Sequence, residues 1–316
     1  MTLPHHAFHE GECAAQERVG VREKMSGMGS YAIRDCMPEQ HRELFTRLPF
    51  ILVGTVDQSG QPWASILANP PGFIQSPTSH ELAIHALPFV ADPLRDTLMP
   101  GAPVGLLGIE PHTRRRNRMN GIVEQIIGKC FRVRVNQSFG NCPKYIQARQ
   151  PEYVPRDGGA KPIFYNELGD ETVRRIIQSA DTFYIATAYS ANKTDASARA
   201  HGVDVSHRGG KPGFVHVGED HFLTVPDYAG NQFFNTIGNL LVNPRAGLLF
   251  IDFDTGDLLY LAANAEILWE GEQLNAFEGA QRLLRFRVSA VRYVKASLPL
   301  RWGSVQVSPF LEHFGQ

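Results

Sequence analysis

The sequence predicts a mainly β fold built from two tandem copies of a small β-barrel with short helices, and three observations lead there. Short motifs recur in the same order: PPGF at 70–73 returns as KPGF at 211–214, Val104-Gly105-Leu106-Leu107 as Ala246-Gly247-Leu248-Leu249, and Phe131-Arg132-Val133 as Phe286-Arg287-Val288. Ordered repetition of this kind marks a duplicated unit. Runs of strand length outnumber helical stripes, which favours closed antiparallel sheets over a doubly wound one. A Pro- and Gly-rich stretch at 150–169 separates the copies. The chain of 316 residues is long for one domain and suits two. The expected divisions are an N-terminal extension over 1–37, a first barrel over 38–149, the linker over 150–169, and a second barrel with a C-terminal extension over 170–316.

Taken in order, Leu44, Phe45 and Leu48 form the apolar stripe of a short helix that runs into the strand FILVGTV at 50–56. Asp57-Gln58-Ser59-Gly60 reads as a hairpin turn leading to PWASIL. The second copy repeats the plan. Asp170 is placed as an N-cap before the stripe Val173, Ile176, Ile177 and Ala180, and the strand FYIATAY follows at 183–189. Both strands are rich in β-branched and aromatic residues on both faces, so both are expected to be buried. A polar excursion, SANKTDASARAH at 190–201, replaces the tight turn of the first copy. The strands KCFRVRV at 129–135 and RLLRFRV at 282–288 alternate apolar and basic residues, as expected of sheets wet on one face.

The composition, 43% hydrophobic and 20% charged, supplies real cores and argues against disorder. With a formal net charge of −1, nothing favours non-specific binding to nucleic acid or to an anionic membrane, so any anion site must be local. No apolar run approaches the roughly 18 residues of a membrane span. The opening MTLPHHAFHEGEC has no signal pattern, and a cytoplasmic location is expected. Cys13, Cys36, Cys130 and Cys142 show neither a C-x-x-C pair nor zinc spacing and are read as buried thiols.

The segment VDVSHRGGKPGFVHV at 203–217 concentrates the chemistry. Ser206, His207 and Arg208 end a strand beside a double glycine, which would let backbone approach a ligand while a hydroxyl and a guanidinium are presented together. Further on, Asp227 and Gly230-Asn231-Gln232 lead from a strand into a helix start, where free N–H groups favour an anion. A surface turn with a solvated arginine explains the same residues.

These stretches resemble the second- and fourth-strand motifs of the pyridoxamine 5′-phosphate oxidase-like FMN-binding split-barrel family, in its tandem oxidase-related branch. The matching pattern is Asp-Val-Ser-x-Arg-Gly at 204–209, Pro-Gly-Phe at 212–214 and Pro-Asp-x-x-Gly-Asn at 226–231, within a resemblance running from about 40 to 296. It implies two split barrels forming an intrachain pseudo-dimer. Val205, Ser206, His207 and Arg208 would line the isoalloxazine and ribityl chain, and Val225, Pro226, Asp227, Asn231 and Gln232 the ribityl-phosphate. One departure stands out: pyridoxamine phosphate oxidases place an Arg-Lys pair near the positions of Asn231 and Gln232, and this chain has none there. Phosphate neutralisation must come from elsewhere.

The run HTRRRNRMNG at 112–121 is the candidate source; its alternative is a solvated strand face. The second copy has GDLLYLAANA in that place, without arginine, while the first has WASILANPPGF where the second has DVSHRGGKPGF. One composite site follows, with Arg115, Arg116 and Asn117 reaching across to the second copy. The family-like FGNCPKYIQAR at 139–149 would bring Asn141, Lys144 and Tyr145 over the flavin; an ordinary helix start at Pro143 fits it too.

Other patterns are discounted. His5, His6, His9, Glu10 and Cys13 lie in a tail expected to be unanchored, and no metal site is assigned. Gly27-x-Gly29-x-x-Ala32 lacks a preceding strand. The sequons at Asn136 and Asn192 have no secretory route. The resemblance implies an FMN-dependent oxidoreductase acting on an unidentified small molecule, with NAD(P)H or a reductase as electron donor. The flavin carries the chemistry, with His207 the one nearby imidazole able to shuttle a proton. The alternative is a non-catalytic carrier of flavin, deazaflavin F420 or haem working with a separate reductase, as a monomeric pseudo-dimer or a homodimer.

Overall fold

The computed structural model describes residues 7–156, 160–166, 168–189, 200–218 and 222–312. His5, His6, the Asn192 sequon and most of the polar excursion at 190–201 lie outside the described residues. Three helices come first, α1 Glu10–Arg18, α2 Arg22–Ala32 and α3 Glu39–Arg47. The last of these buries Leu44 and Phe45 and runs into β1, Phe50–Val56. There follow β2 Pro62–Ala68, β3 Ile74–Thr78, β4 Glu81–Ile84, the short α4 Leu94–Thr97, β5 Pro103–Glu110, β6 Arg115–Ile127 and β7 Cys130–Gly140. They pair antiparallel in the order β2-β1-β5-β6-β7-β4-β3.

After β8 Pro151–Tyr153 and β9 Ile163–Tyr165, the plan repeats. Helix α5, Glu171–Ser179, is capped by the Asp170 carboxylate, which accepts from Thr172 N at 2.9 Å and Val173 N at 3.2 Å. The chain then forms β10 Thr182–Tyr189, β11 Gly202–Gly209, β12 His216–Val217, β13 Phe222–Asp227, α6 Asn235–Val242, β14 Arg245–Ile251, β15 Leu258–Leu268 and β16 Arg282–Val294. The second sheet runs β11-β10-β14-β15-β16-β13-β12, the same order strand for strand, with β9 added against β16. The fold is mainly β, in antiparallel sheets with short helices.

Alternation along the central strands explains the layering. Ile51 and Val53 of β1 enter the first core, while Phe50 and Leu52 enter a layer shared between the sheets. On β10, Phe183 and Ile185 enter the second core and Tyr184 and Ala186 the shared layer. The recurrent glycine of VGLL and AGLL has a physical reason. A Cβ on Gly105 would collide with the backbone of Val203, and one on Gly247 with that of Pro62, so each sheet needs a bare strand where the other's edge crosses it.

Three expectations are corrected. The N-terminal extension is anchored: α1 crosses α6 with Gly11 against Gly238, each without room for a Cβ, and Glu12, Ala15 and Gln16 are buried together with the N-cap His9. The stretch 150–169 is more than a tether, because β8 pairs with β17, Leu300–Trp302, and β9 pairs with β16. The four cysteines are free and half-buried rather than sequestered.

Candidate functional site

A cleft of about 960 Å³, its open mouth included, lies where β6 of the first sheet meets β11, β13 and α6 of the second. Alternation decides what each strand offers. Arg116, Arg118 and Asn120 share one face of β6, whereas Met119 on the other face packs into the first core. Across from them stand Asp204, Ser206 and Arg208 of β11.

Arg118 is buried and joins the two sheets. Its Nη1 lies 2.9 Å from Asp204 Oδ1, and its Nη2 donates to Ser206 Oγ. Asp204 also accepts from Asn120 Nδ2 at 2.8 Å and from Asn239 Nδ2 at 2.8 Å. Thr236 Oγ1 donates to Ser206 Oγ at 3.0 Å, and His9 Nε2 lies 2.9 Å from Asn239 Oδ1, so the N-terminal extension supports this network from behind. A buried pair held by so many hydrogen bonds is rigid, and removing either partner would strand the other.

At the other end, Arg208 is ion-paired with Asp227, and Arg282 Nη1 stands 3.5 Å from the second carboxylate oxygen. Arg282 sits opposite Asp227 in the β13–β16 register and is covered by Phe234 and Trp269, each ring centroid 4.9 Å from its guanidinium carbon. Arg116 donates from Nε to the Cys142 carbonyl at 2.7 Å and from Nη1 to the His207 carbonyl at 3.5 Å. Tyr145, with φ +65°, spans the mouth and donates from its hydroxyl to the Ala229 carbonyl at 3.0 Å.

Five cationic side chains line the cleft, Arg116, Arg118, Lys144, Arg208 and Arg282, against one lining carboxylate, Asp227, with Asp204 just behind. Burial pushes Arg116 down to about 10, with Arg118 and Arg208 adding to the effect, and it remains charged at neutral pH. Burial holds His207 well below its ordinary value, reinforced by Arg116, Arg208 and Arg149, so the ring is neutral. Burial also raises Tyr145 to about 12. Behind the cleft, burial raises Glu12 to about 8, with Asp204 pushing the same way.

Several buried guanidinium nitrogens here have no hydrogen-bond partner among the described residues: Arg118 Nε, Arg208 Nε, Arg282 Nε, and Arg282 Nη1 beyond its 3.5 Å approach to Asp227. Orphaned buried donors cost about 1–3 kcal/mol each, and their clustering in one electropositive cleft fits a bound anion that accepts from them. The residues present therefore suit a phosphate-bearing cofactor.

Of the residues expected from sequence, the structure brings Ser206, His207, Arg208, Pro226, Asp227, Asn231, Gln232, Arg116, Lys144 and Tyr145 to the cleft. Val205 and Val225 are instead core residues, and Arg115 and Asn117 share the opposite face of β6. The correction is one of phase: counting alternate positions from Arg116 selects Arg118 and rejects both neighbours. Arg282 was missed because only pairing with Asp227 places it. One further reading changes: Gly209 leaves room for the Tyr145 backbone rather than for a ligand. His207 is buried, and burial with the neighbouring arginines lowers its pKa, which favours the neutral ring. No helix begins at Pro143, since β7 runs to Gly140 and the chain stays irregular as Asn141 N bonds the Arg116 carbonyl.

No family model matches the sequence, and no curated protein does. Among solved structures, a HupZ variant from group A Streptococcus aligns over 40% of this chain and 98% of its own, at 12% identity and a TM-score of 0.31. A putative pyridoxamine 5′-phosphate oxidase from Lactobacillus delbrueckii aligns over 34% and 95%, at 14% identity and 0.27. An FAD-binding protein from Mesorhizobium loti aligns over 42% and 98%, at 9% identity and 0.25. Likenesses of this strength leave function to the chemistry of the cleft.

Proposed function

We propose that the cleft binds a flavin, FMN, and that the chain is a flavin-dependent oxidoreductase related to the pyridoxamine 5′-phosphate oxidases, acting on a small molecule. The observation that carries this reading is the buried basic cleft, five cations against one lining carboxylate with guanidinium nitrogens still unsatisfied. Arg208 and Arg282 would hold the phosphate on either side of Asp227, with Asn231 and Gln232 beside them. Ser206, Arg116 and Arg118 would hold the polar edge of the ring system, and Lys144 and Tyr145 would close over it. The motif at 204–209 and 226–231 supports the same assignment. Both repeats, 38–149 and 170–316, would contribute to one site as an intrachain pseudo-dimer in the cytoplasm. No described helix is long and apolar enough to cross a membrane.

A flavin supplies hydride or single-electron transfer when bound. The chain's own part is to orient it, to neutralise its phosphate and to place positive charge beside it. One observation favours a carrier as the second reading: His207 is neutral and Tyr145 is raised to about 12, so neither cleft side chain exchanges a proton readily at neutral pH. The absorption spectrum and mass of the copurifying cofactor, with its stoichiometry, test the primary reading. One FMN per chain is expected, and a preparation that neither carries nor takes up flavin would falsify it. Reduction of that flavin by NADH or NADPH supports the enzyme; bound flavin that neither reduces supports the carrier.

A further inference from the structure

Asp35 and Cys36 are neighbours, but His80 stands far along the chain from them, which hides the set from any search for metal-ligand spacing. In space the donor atoms of the three side chains lie within 4.8 Å of one another, none of them in the cleft. We propose that Asp35, Cys36 and His80 form a binding site for a thiophilic divalent cation of the zinc class. Zinc holds sulfur at about 2.3 Å and nitrogen or oxygen at about 2.0–2.2 Å, so donors this close reach one ion with small side-chain rotations.

The backbone on both sides is already held. Arg34 exchanges two hydrogen bonds with Ser138 of β7, Arg34 N to Ser138 O at 3.1 Å and Ser138 N to Arg34 O at 2.7 Å. Met37, one residue beyond Cys36, is buried in the first core and donates its N–H to the Ser79 carbonyl at 2.7 Å. Asp35 and Cys36 therefore sit on a two-residue span pinned at each end, against the turn that carries His80. That turn is fixed in its own right: His80 N donates to Thr78 Oγ1 at 3.2 Å, and its carbonyl accepts from Val135 N at 2.9 Å. Ser79 Oγ lies 3.0 Å from His80 Nδ1, where it can accept the ring proton and leave the Nε2 lone pair for a metal. Pre-positioning of this kind lowers the ordering cost that a surface site otherwise meets.

The donor set selects the ion. A thiolate with an imidazole disfavours magnesium and calcium, which take oxygen ligands, and suits zinc or cobalt. Three protein donors leave a fourth position to water, the pattern of an open zinc site. A bound ion would clamp the segment after α2 to the β3–β4 turn and so fasten the N-terminal extension to the first sheet.

The test is a titration of the reduced full-length protein with cobalt as a spectroscopic probe, and with zinc in competition with a chromogenic chelator. A thiolate-to-cobalt charge-transfer band saturating at one equivalent is expected, displaced by zinc. Cys36→Ser should abolish the band, and His80→Ala should weaken zinc binding about tenfold or more, while Cys130→Ser leaves both unchanged. His80 is exposed, so its variant keeps the test open should Cys36→Ser fold poorly. Absence of the band in the wild-type protein overturns the proposal, as does a band that survives Cys36→Ser or zinc affinity that is unaltered in His80→Ala. Flavin content does not enter these readouts.

Discussion

The two sheets meet at two equivalent junctions, and the chain has treated them in opposite ways. At one, β6 faces β11; at the other, β15 faces β2. Registers align them: Ser206 opposes Ile185 and Ser65 opposes Val53, while Arg118 opposes Leu107 and Tyr260 opposes Leu249. The first junction carries Arg116, Arg118 and Asn120; the second has Leu258, Tyr260 and Ala262 in those places. Serine is kept at both but differently employed. Ser206 takes hydrogen bonds from Arg118 and Thr236, whereas Ser65 donates to Asp92, whose other oxygen accepts from Tyr260 at 2.9 Å. Trp302 of β17 then packs on Phe50 and Phe253, with ring centroids 5.3 and 4.9 Å apart, and joins the apolar layer there. The lesson is that two equivalent junctions in one strand order can bury opposite chemistry, aliphatic and tyrosine side chains at one and arginines with their hydrogen-bond partners at the other.

The largest expected effect comes from breaking the polar junction at its centre. Arg118→Ala should destabilise the protein by about 3–5 kcal/mol in urea unfolding, because Asp204 is left buried and uncompensated. A cost below about 1 kcal/mol would mean that the ion pair does not hold the sheets together.

Next in size is a pH effect confined to the same junction. Burial raises Glu12 from 4.5 to about 8, so the folded state binds its proton more tightly than the unfolded chain does. The stability this contributes is complete below about pH 4.5 and is lost as pH rises through about 8, a change on the order of a few kcal/mol. Glu12→Gln should flatten that slope in melts taken between pH 5 and pH 8.5; an unaltered slope would assign it to other groups.

Arg208→Ala should lower flavin affinity about 10- to 100-fold by fluorescence titration, the worth of one charge-assisted hydrogen bond. Leu67, its counterpart on β2, is 1% exposed. Leu67→Ala should instead cost stability, about 2–5 kcal/mol, and leave flavin affinity unchanged. Equal effects of both variants on binding would erase the distinction between the junctions.

The smallest effect belongs to the closed side. Tyr260→Phe removes one hydrogen bond to Asp92 and should cost about 1–2 kcal/mol without altering flavin content. Two flavins per chain would break the comparison altogether.

Much of this was legible from residues alone. The repeat, the helix-to-strand passages into β1 and β10 and the Asp170 cap all rest on local pattern, and the cleft residues Ser206, Arg208, Asp227, Asn231 and Gln232 lie in two short segments beside one another. The phase of β6 was not legible, so Arg115 and Asn117 were chosen where Arg118 belonged. Nor was the burial of His207, or the anchoring of α1 beneath Asp204. Alternation and turn chemistry act over a few residues, and a sequence determines them by itself. Which face of a strand is covered, and which buried charges become neighbours, depends on how two sheets pack across long chain separations. Only the tertiary structure decides that, since the energy of a guanidinium such as Arg118 or Arg282 is set by partners that the local sequence does not contain.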